Sequence, residues 1–342
     1  MPATSTPTRI VLVLSTLIAG LIVGLIVGVI VGVMAASAAP ADAGTGAGGG
    51  IADGRIAYVR DHRSIKTMAP DGSDHRTVVS GADFPVEVYL SGPSWSPDGH
   101  RLAFSAMKVV VGPSGTPSPF RMYTVRVDGT RRRTLGEGWN PAFSPDGSRI
   151  AFVRDGSVWT MARDGSDAEP LTTPHFATAR PQWSPDGSRI AYYLGGADQI
   201  WVVNADGTDE HLLVDESDAF AWSPDGTQMA YQRIESFFGG DECGYISRPR
   251  IVVANVDGSN EQPVTTIGGW PGGMGDGGLT WSPDGGSLAY GYGVLWDFNS
   301  CEELYKGHRI AVTSLEDSTT TALPGPRGPA EIVDPVWGPA GS

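Results

Sequence analysis

Basic charge is scarce in this sequence. Its 342 residues carry 24 Lys plus Arg against 38 Asp plus Glu, a formal net charge of −14. A domain this acidic repels phosphate backbones, and no basic stripe offsets the effect, so nucleic acid is excluded as a partner. The one basic run, Arg131-Arg132-Arg133, follows an Asp-Gly turn and reads as a solvated hairpin end. Signatures of catalysis are missing too. No Gly-x-Ser-x-Gly pentapeptide marks a nucleophile elbow. Six histidines (62, 75, 100, 175, 211 and 308) never take the His-Glu-x-x-His spacing of a zinc site. No Gly-rich phosphate cradle follows a strand and opens a helix.

Long uncharged apolar runs are confined to the N-terminus. Arg9 precedes Ile10–Ala36, which carries no charge, and Ala36-Ser37-Ala38 has the small-x-small pattern of a cleavage site. Residues 1–38 therefore read as a signal peptide or as an N-terminal membrane anchor. The 27-residue stretch is longer than a typical signal core, and Gly20, Gly24, Gly28 and Gly32 would line one helix face. Either way Arg9 stays inside and the rest is exported. Residues 39–50 form a Gly/Ala-rich linker.

What the remainder has in quantity is turn residues, with 47 Gly and 26 Pro in the chain. This composition favours a turn-dense all-β domain over 51–342. Two phrases repeat through it. The first is an aromatic followed by Ser-Pro-Asp-Gly and then a short apolar strand. It occurs at Trp95 (with Asp98-Gly99), Phe143 (Asp146-Gly147), Trp183 (Asp186-Gly187), Trp222 (Asp225-Gly226) and Trp281 (Asp284-Gly285). The aromatic heads are 48, 40, 39 and 59 residues apart, bracketing the length of a four-stranded propeller blade. Pro presets φ for a type I turn, Asp suits the next position, and Gly accepts the left-handed φ that closes it. The head ring is expected to pack between neighbouring blades.

The second phrase is an apolar strand leading into Asp-Gly, at Asp71, Asp128, Asp164, Asp206 and Asp257, with a worn copy at Glu316-Asp317. The run Asp206-Gly207-Thr208-Asp209-Glu210 looks like part of a calcium loop, but its alignment with these sister turns makes it a hairpin. Six second phrases against five first phrases leave one blade split across the termini. Pro335-Val336-Trp337 supplies the missing head, and residues 55–79 supply the other three strands. The fold expected is a six-bladed β-propeller of four-stranded antiparallel blades, with a C-terminal inner strand joining the three N-terminal strands and closing the ring.

The phrase Trp-Ser-Pro-Asp-Gly-x-x-Ile-Ala-Phe resembles the repeat of TolB-type β-propellers, also seen in propeller domains of prolyl oligopeptidase and dipeptidyl-peptidase relatives. The resemblance covers roughly 51–342 and implies the six-bladed fold and an exported location. It does not imply a ligand, since one fold hosts many functions. A tether stands where TolB has an α/β domain, and the peptidases' catalytic domain has no counterpart here, so neither activity is implied.

Both tight turns of a blade must lie on one face of the disc. The longer connections, Ser105–Phe120, Arg233–Pro249 and Gly291–His308, share the other face with the interblade runs Ser80–Gly92, Thr265–Gly278 and Pro324–Asp334. The binding surface is expected on that long-loop face. At the channel mouth the candidates are Asn140, Arg180, Asp218 and Asp334, with Trp139, His175, Trp270 and Asp276 nearby. Carboxylates converging there would suit Ca²⁺, although ring folds also solvate their mouths with such residues; no other cofactor or metal is expected. Cys243 and Cys301 fall 21 and 20 residues after their blades' head aromatics, an arrangement that suits a cross-blade disulfide. The reading is a monomeric, non-enzymatic module presenting long loops to a protein, peptide or glycan. A propeller lyase or hydrolase acting on polysaccharide, or a membrane-anchored envelope sensor, are the alternatives.

Overall fold

A computed structural model describes residues 54–109, 118–175, 178–217, 219–238, 245–264, 278–295, 305–324 and 332–339. Residues 1–38 and the 39–50 linker lie outside them. Among the described residues, no helix is long and apolar enough to cross a membrane.

The described chain forms 24 strands in six four-stranded sheets. Blade 1 combines β1 (Ile56–Arg60), β2 (Ser64–Met68) and β3 (Arg76–Ser80) with the last strand, β24 (Ile332–Trp337). Blade 2 holds β4 (Val88–Trp95), β5 (Arg101–Lys108), β6 (Arg121–Arg126) and β7 (Arg133–Glu137). Blade 3 holds β8 (Trp139–Phe143), β9 (Arg149–Arg154), β10 (Ser157–Ala162) and β11 (Glu169–Pro170). Blade 4 holds β12 (Thr178–Trp183), β13 (Arg189–Leu194), β14 (Gln199–Asn204) and β15 (His211–Val214). Blade 5 holds β16 (Phe220–Trp222), β17 (Gln228–Phe238), β18 (Tyr245–Asn255) and β19 (Gln262–Pro263). Blade 6 holds β20 (Leu279–Trp281), β21 (Ser287–Leu295), β22 (Tyr305–Ser314) and β23 (Thr320–Ala322). The closure read from the termini is therefore present: β24 pairs antiparallel with β1, Ile56 opposite Trp337 and Val59 opposite Val333.

Each Ser-Pro-Asp-Gly turn is a small hydrogen-bonded box. In blade 3, Ser144 Oγ donates to Asp146 Oδ1 at 2.6 Å and accepts from the Arg149 N–H at 2.9 Å, while the Ser148 N–H donates to Asp146 Oδ1 at 3.0 Å. The same box recurs at Ser96, Ser184, Ser223 and Ser282. Gly147 closes its turn at φ 68°, a conformation that side chains disfavour. Donation to the carboxylate lowers the pKa of Asp146 and Asp186 to about 2, led in each case by the serine hydroxyl.

One backbone hydrogen bond joins the two turns within a blade, as from Val127 N to His100 O at 3.1 Å and from Ala205 N to Ser188 O at 2.8 Å. Both turns thus share one face of the disc, as the repeat order requires. The opposite face departs from expectation. Arg233–Pro249 and Gly291–His308, read as insertion loops, are largely continuations of β17/β18, in register out to Phe238 opposite Tyr245, and of β21/β22, which pair out to Leu295 opposite Tyr305 with one register shift after Gly293. A chain segment that leaves the disc has no neighbour but its own return strand, and pairing satisfies both backbones.

Among the described residues, the buried apolar side chains fall into six clusters, one in each seam between blades. Side chains alternate across each strand, so Leu102 and Phe104 face blade 1 while Ala103 faces blade 3. Fully burying one such Leu or Phe contributes about 2 kcal/mol, so the seams hold the ring together.

Candidate functional site

The innermost strand of each blade is a sheet edge, and its free side lines the central channel. Four of these strands carry the same local device. Gly92, Asn140, Arg180 and Asp334 each stand three residues before the head aromatic, each has positive φ (57°, 49°, 52° and 53°), and each is followed by proline. The ladder slips at these points in β4, β8, β12 and β24. A bulge re-aims the residue it carries, and proline is tolerated there because an edge strand need not donate on its free side. The signal was present in the sequence as x-Pro-x-aromatic, repeated four times, and pattern reading on the turns alone passed over it.

The bulges set polar groups into a cavity of about 320 Å³ at the ring's centre, walled by Asn140, Arg180, Gln182, Trp222, Thr280 and Asp334 among others. Side chains there stitch neighbouring blades to one another. Asp334 Oδ2 accepts from the Gly92 N–H at 3.2 Å, and Asn140 Oδ1 accepts from the Arg180 N–H at 3.4 Å. Gln182 Nε2 donates to Phe220 O at 2.8 Å, and Thr280 Oγ1 accepts from the Trp337 N–H at 3.2 Å. Gly92 leaves room for its neighbour, since a Cβ there would stand 2.7 Å from Asn140 Nδ2.

One contact crosses the ring. Arg180 Nη2 lies 3.7 Å from Asp334 Oδ1, although the two belong to blades 4 and 1, which face each other across the channel. Their side chains are 19% and 17% exposed, enough for a visiting group to reach. Desolvation by the walls and the converging dipoles strengthen any polar contact made at this depth.

The other predicted residues are placed as follows. Trp139 turns away from the cavity and stacks on Phe120, with ring centroids 5.9 Å apart. His175 sits over the outer strands of blade 4, stacked on Trp201 at 6.3 Å with Nε2 3.5 Å from Glu210 Oε1. Its backbone N–H donates to Gly156 O at 2.8 Å, which holds it at the turn between β9 and β10, apart from Asn140 and Arg180. Asp218, Trp270, Asp276, Cys243 and Cys301 lie outside the described residues. Among the described residues, no group of three or more His, Cys, Asp or Glu is placed to hold a metal ion.

Comparison with known proteins agrees with this geometry. Over 129 residues, 35% of this chain and 27% of that protein, the sequence is 33% identical to the Tol-Pal system protein TolB of Anaeromyxobacter dehalogenans strain 2CP-C. It is 29% identical over 113 residues to the uncharacterized peptidase YuxL of Bacillus subtilis, covering 31% of this chain and 17% of that one. The chain thus spans about a quarter or less of the curated relatives it matches. Among solved structures, TolB from Acinetobacter baumannii superposes with a TM-score of 0.62 at 19% identity, covering 85% of this chain and 68% of that one. A chain of a nidogen/laminin complex superposes at 0.61 with 11% identity, covering 84% and 99%; both likenesses concern the fold alone. The family described as the TolB beta propeller domain matches residues 45–340, and the chain belongs to that family.

Proposed function

We propose that this protein is an exported, non-enzymatic binding module that holds a protein partner at the channel mouth on its long-loop face. The observation that carries the reading is the Arg180–Asp334 contact, which sets a cation and a carboxylate on opposite blades within reach of solvent. A rigid ring holds this pair at a fixed spacing, so an incoming peptide meets preformed donors and acceptors. Both groups already face each other, an arrangement suited to recognition more than to proton transfer. Export is supported by the uncharged stretch after Arg9 and the Ala-Ser-Ala that follows it. A protein partner is favoured over a glycan because the TolB relatives are named as Tol-Pal system proteins.

The test is a photo-crosslinking amino acid placed at Asn140, and in a control at Thr208 on the tight-turn face. Adducts of defined mass from Asn140, absent from Thr208 and lost with Arg180→Ala, are expected. Adducts arising only from Thr208 would move the binding surface to the other face and overturn the reading.

A further inference from the structure

The repeat places an arginine at the start of the second strand in several blades, and blades 1 and 3 show how its charge is met. Arg55 donates to Thr67 Oγ1 at 3.2 Å and to Asp74 Oδ2 at 2.7 Å. Arg149 donates to Thr160 Oγ1 and to Glu169 Oε1, both at 2.6 Å. Blade 2 keeps the arginine, Arg101, and the threonine, Thr124, but inverts the rest. In blade 3, Arg149 lies opposite Ala162, and Thr160 opposite Glu169. In blade 2, Arg101 lies opposite Arg126, and Thr124 opposite Arg133. Arginine therefore occupies the places of both the small neighbour and the neutralising acid.

These side chains share one face. Ala103 and Met122, two and four residues along from Arg101 and Arg126, belong to the cluster between blades 2 and 3. Arg101, Arg126 and Arg133 point to the same seam, at its tight-turn end. Arg163, which follows β10 in blade 3, enters from the other side, and its charge bears on Arg101 together with those of Arg126 and Arg133. Arg126, Arg133 and Arg163 are exposed and Arg101 is half-buried. Among the described residues none of the four forms an ion pair. The acids nearest them are tied into turns, Asp98 accepting from Ser96 Oγ and the His100 N–H, and Asp128 from Thr130.

Like charges directly opposite in an antiparallel pair destabilise a sheet. A ligand that neutralises them recovers that loss. We infer that the seam between blades 2 and 3 is a binding site for a compact phosphoryl group, gripped by the guanidinium groups of Arg101, Arg126, Arg133 and Arg163. Guanidinium forks match the oxygens of phosphate, and several positive charges at one point select a multiply charged anion over a single carboxylate. The surrounding turns of blades 2 and 3 carry ionised aspartates, Asp98, Asp128, Asp146 and Asp164, each held below the usual carboxylate range by hydrogen bonds within its turn. That fringe repels an extended polyanion or a flat anionic membrane, which leaves a small phosphoryl compound or one lipid headgroup.

Arg133→Glu rebuilds in blade 2 the ion pair seen in blade 3, so it separates binding from folding. Melting temperatures are compared for the wild-type chain and Arg133→Glu in inorganic phosphate and in chloride at matched ionic strength. The wild type is expected to gain several degrees from phosphate at about 100 times its Kd. Any rise common to both proteins is the general salting effect of phosphate and is subtracted. Arg133→Glu should melt above the wild type in chloride and bind phosphate about tenfold or more weakly by calorimetry. Dihexanoyl phosphatidic acid, used as a dissolved monomer, is the second probe. Tighter binding than phosphate assigns the group to a lipid headgroup, and equal or weaker binding assigns it to a soluble compound. Equal phosphate shifts in the two proteins, or no shift in the wild type with either probe, would overturn the proposal.

Discussion

Trp183 donates its indole N–H to the backbone carbonyl of Ala142, 41 residues earlier and in the preceding blade, at 3.2 Å. Trp95 does the same to Val336 and Trp281 to Ala221, each at 3.0 Å. At these three positions the head tryptophan fills the seam and also fastens one inner strand to the next. Trp222 makes no such bond. Its Nε1 is buried with no acceptor among the described residues, and the Arg189 guanidinium lies 5.1 Å over its ring.

This contrast yields a paired stability test. Trp281→Phe removes a hydrogen bond to the Ala221 carbonyl, which keeps its ladder partner Ala230, whereas Trp222→Phe removes a donor that has no partner. Urea unfolding should find Trp281→Phe the more costly by about 1 kcal/mol. Equal costs would mean that the indole N–H contributes nothing and the ring acts by size alone.

The ring's closure can be tested at one buried position. Val333 is 1% exposed in β24, and the strand is further held by Gly338 N donating to Arg55 O at 2.7 Å. Val333→Asp places an unpaired charge in the clasp and should cost at least about 3 kcal/mol. Truncation before Ile332 should abolish the single cooperative transition in calorimetry, because β1 becomes an open edge and Trp95 loses its acceptor. An unaltered melt after truncation would show that the ring is not closed in this way.

Acid should weaken the ring through its turns. Asp146 and Asp186 have folded pKa values near 2, below the usual value of about 3.9 for the unfolded chain. The unfolded state therefore binds protons first as pH falls. The stability these groups contribute is fully present above about pH 4 and is lost as pH drops through about 2. The melting temperature should decline over that window, and the Asp146→Asn/Asp186→Asn double variant should decline less steeply. Parallel curves would remove these turns as the cause.

Much of this architecture is written in short segments. A Ser-Pro-Asp-Gly turn forms from residues within six positions of one another, so its chemistry is local, and its recurrence counts the blades. The split blade follows from the same count, because the missing Trp337 half could only complete the strands after Arg55. Strand order alone put Asn140, Arg180 and Asp334 near the channel mouth, while the local signal that aims them inward, a proline after each and an aromatic three residues on, lay outside the turn phrases. Local chemistry could not place His175, whose neighbours Trp201 and Glu210 belong to another blade.

Tertiary structure alone decided which distant residues meet. Arg180 and Asp334 are 154 positions apart and touch because six blades close a ring narrow enough for opposite walls to reach each other. Arg163 joins Arg101, Arg126 and Arg133 because adjacent blades bring their turns together. The run Arg131-Arg132-Arg133, read alone, is only a solvated hairpin. Charge and van der Waals forces act over ångströms in space, and sequence separation carries no information about that distance until the sheets have packed.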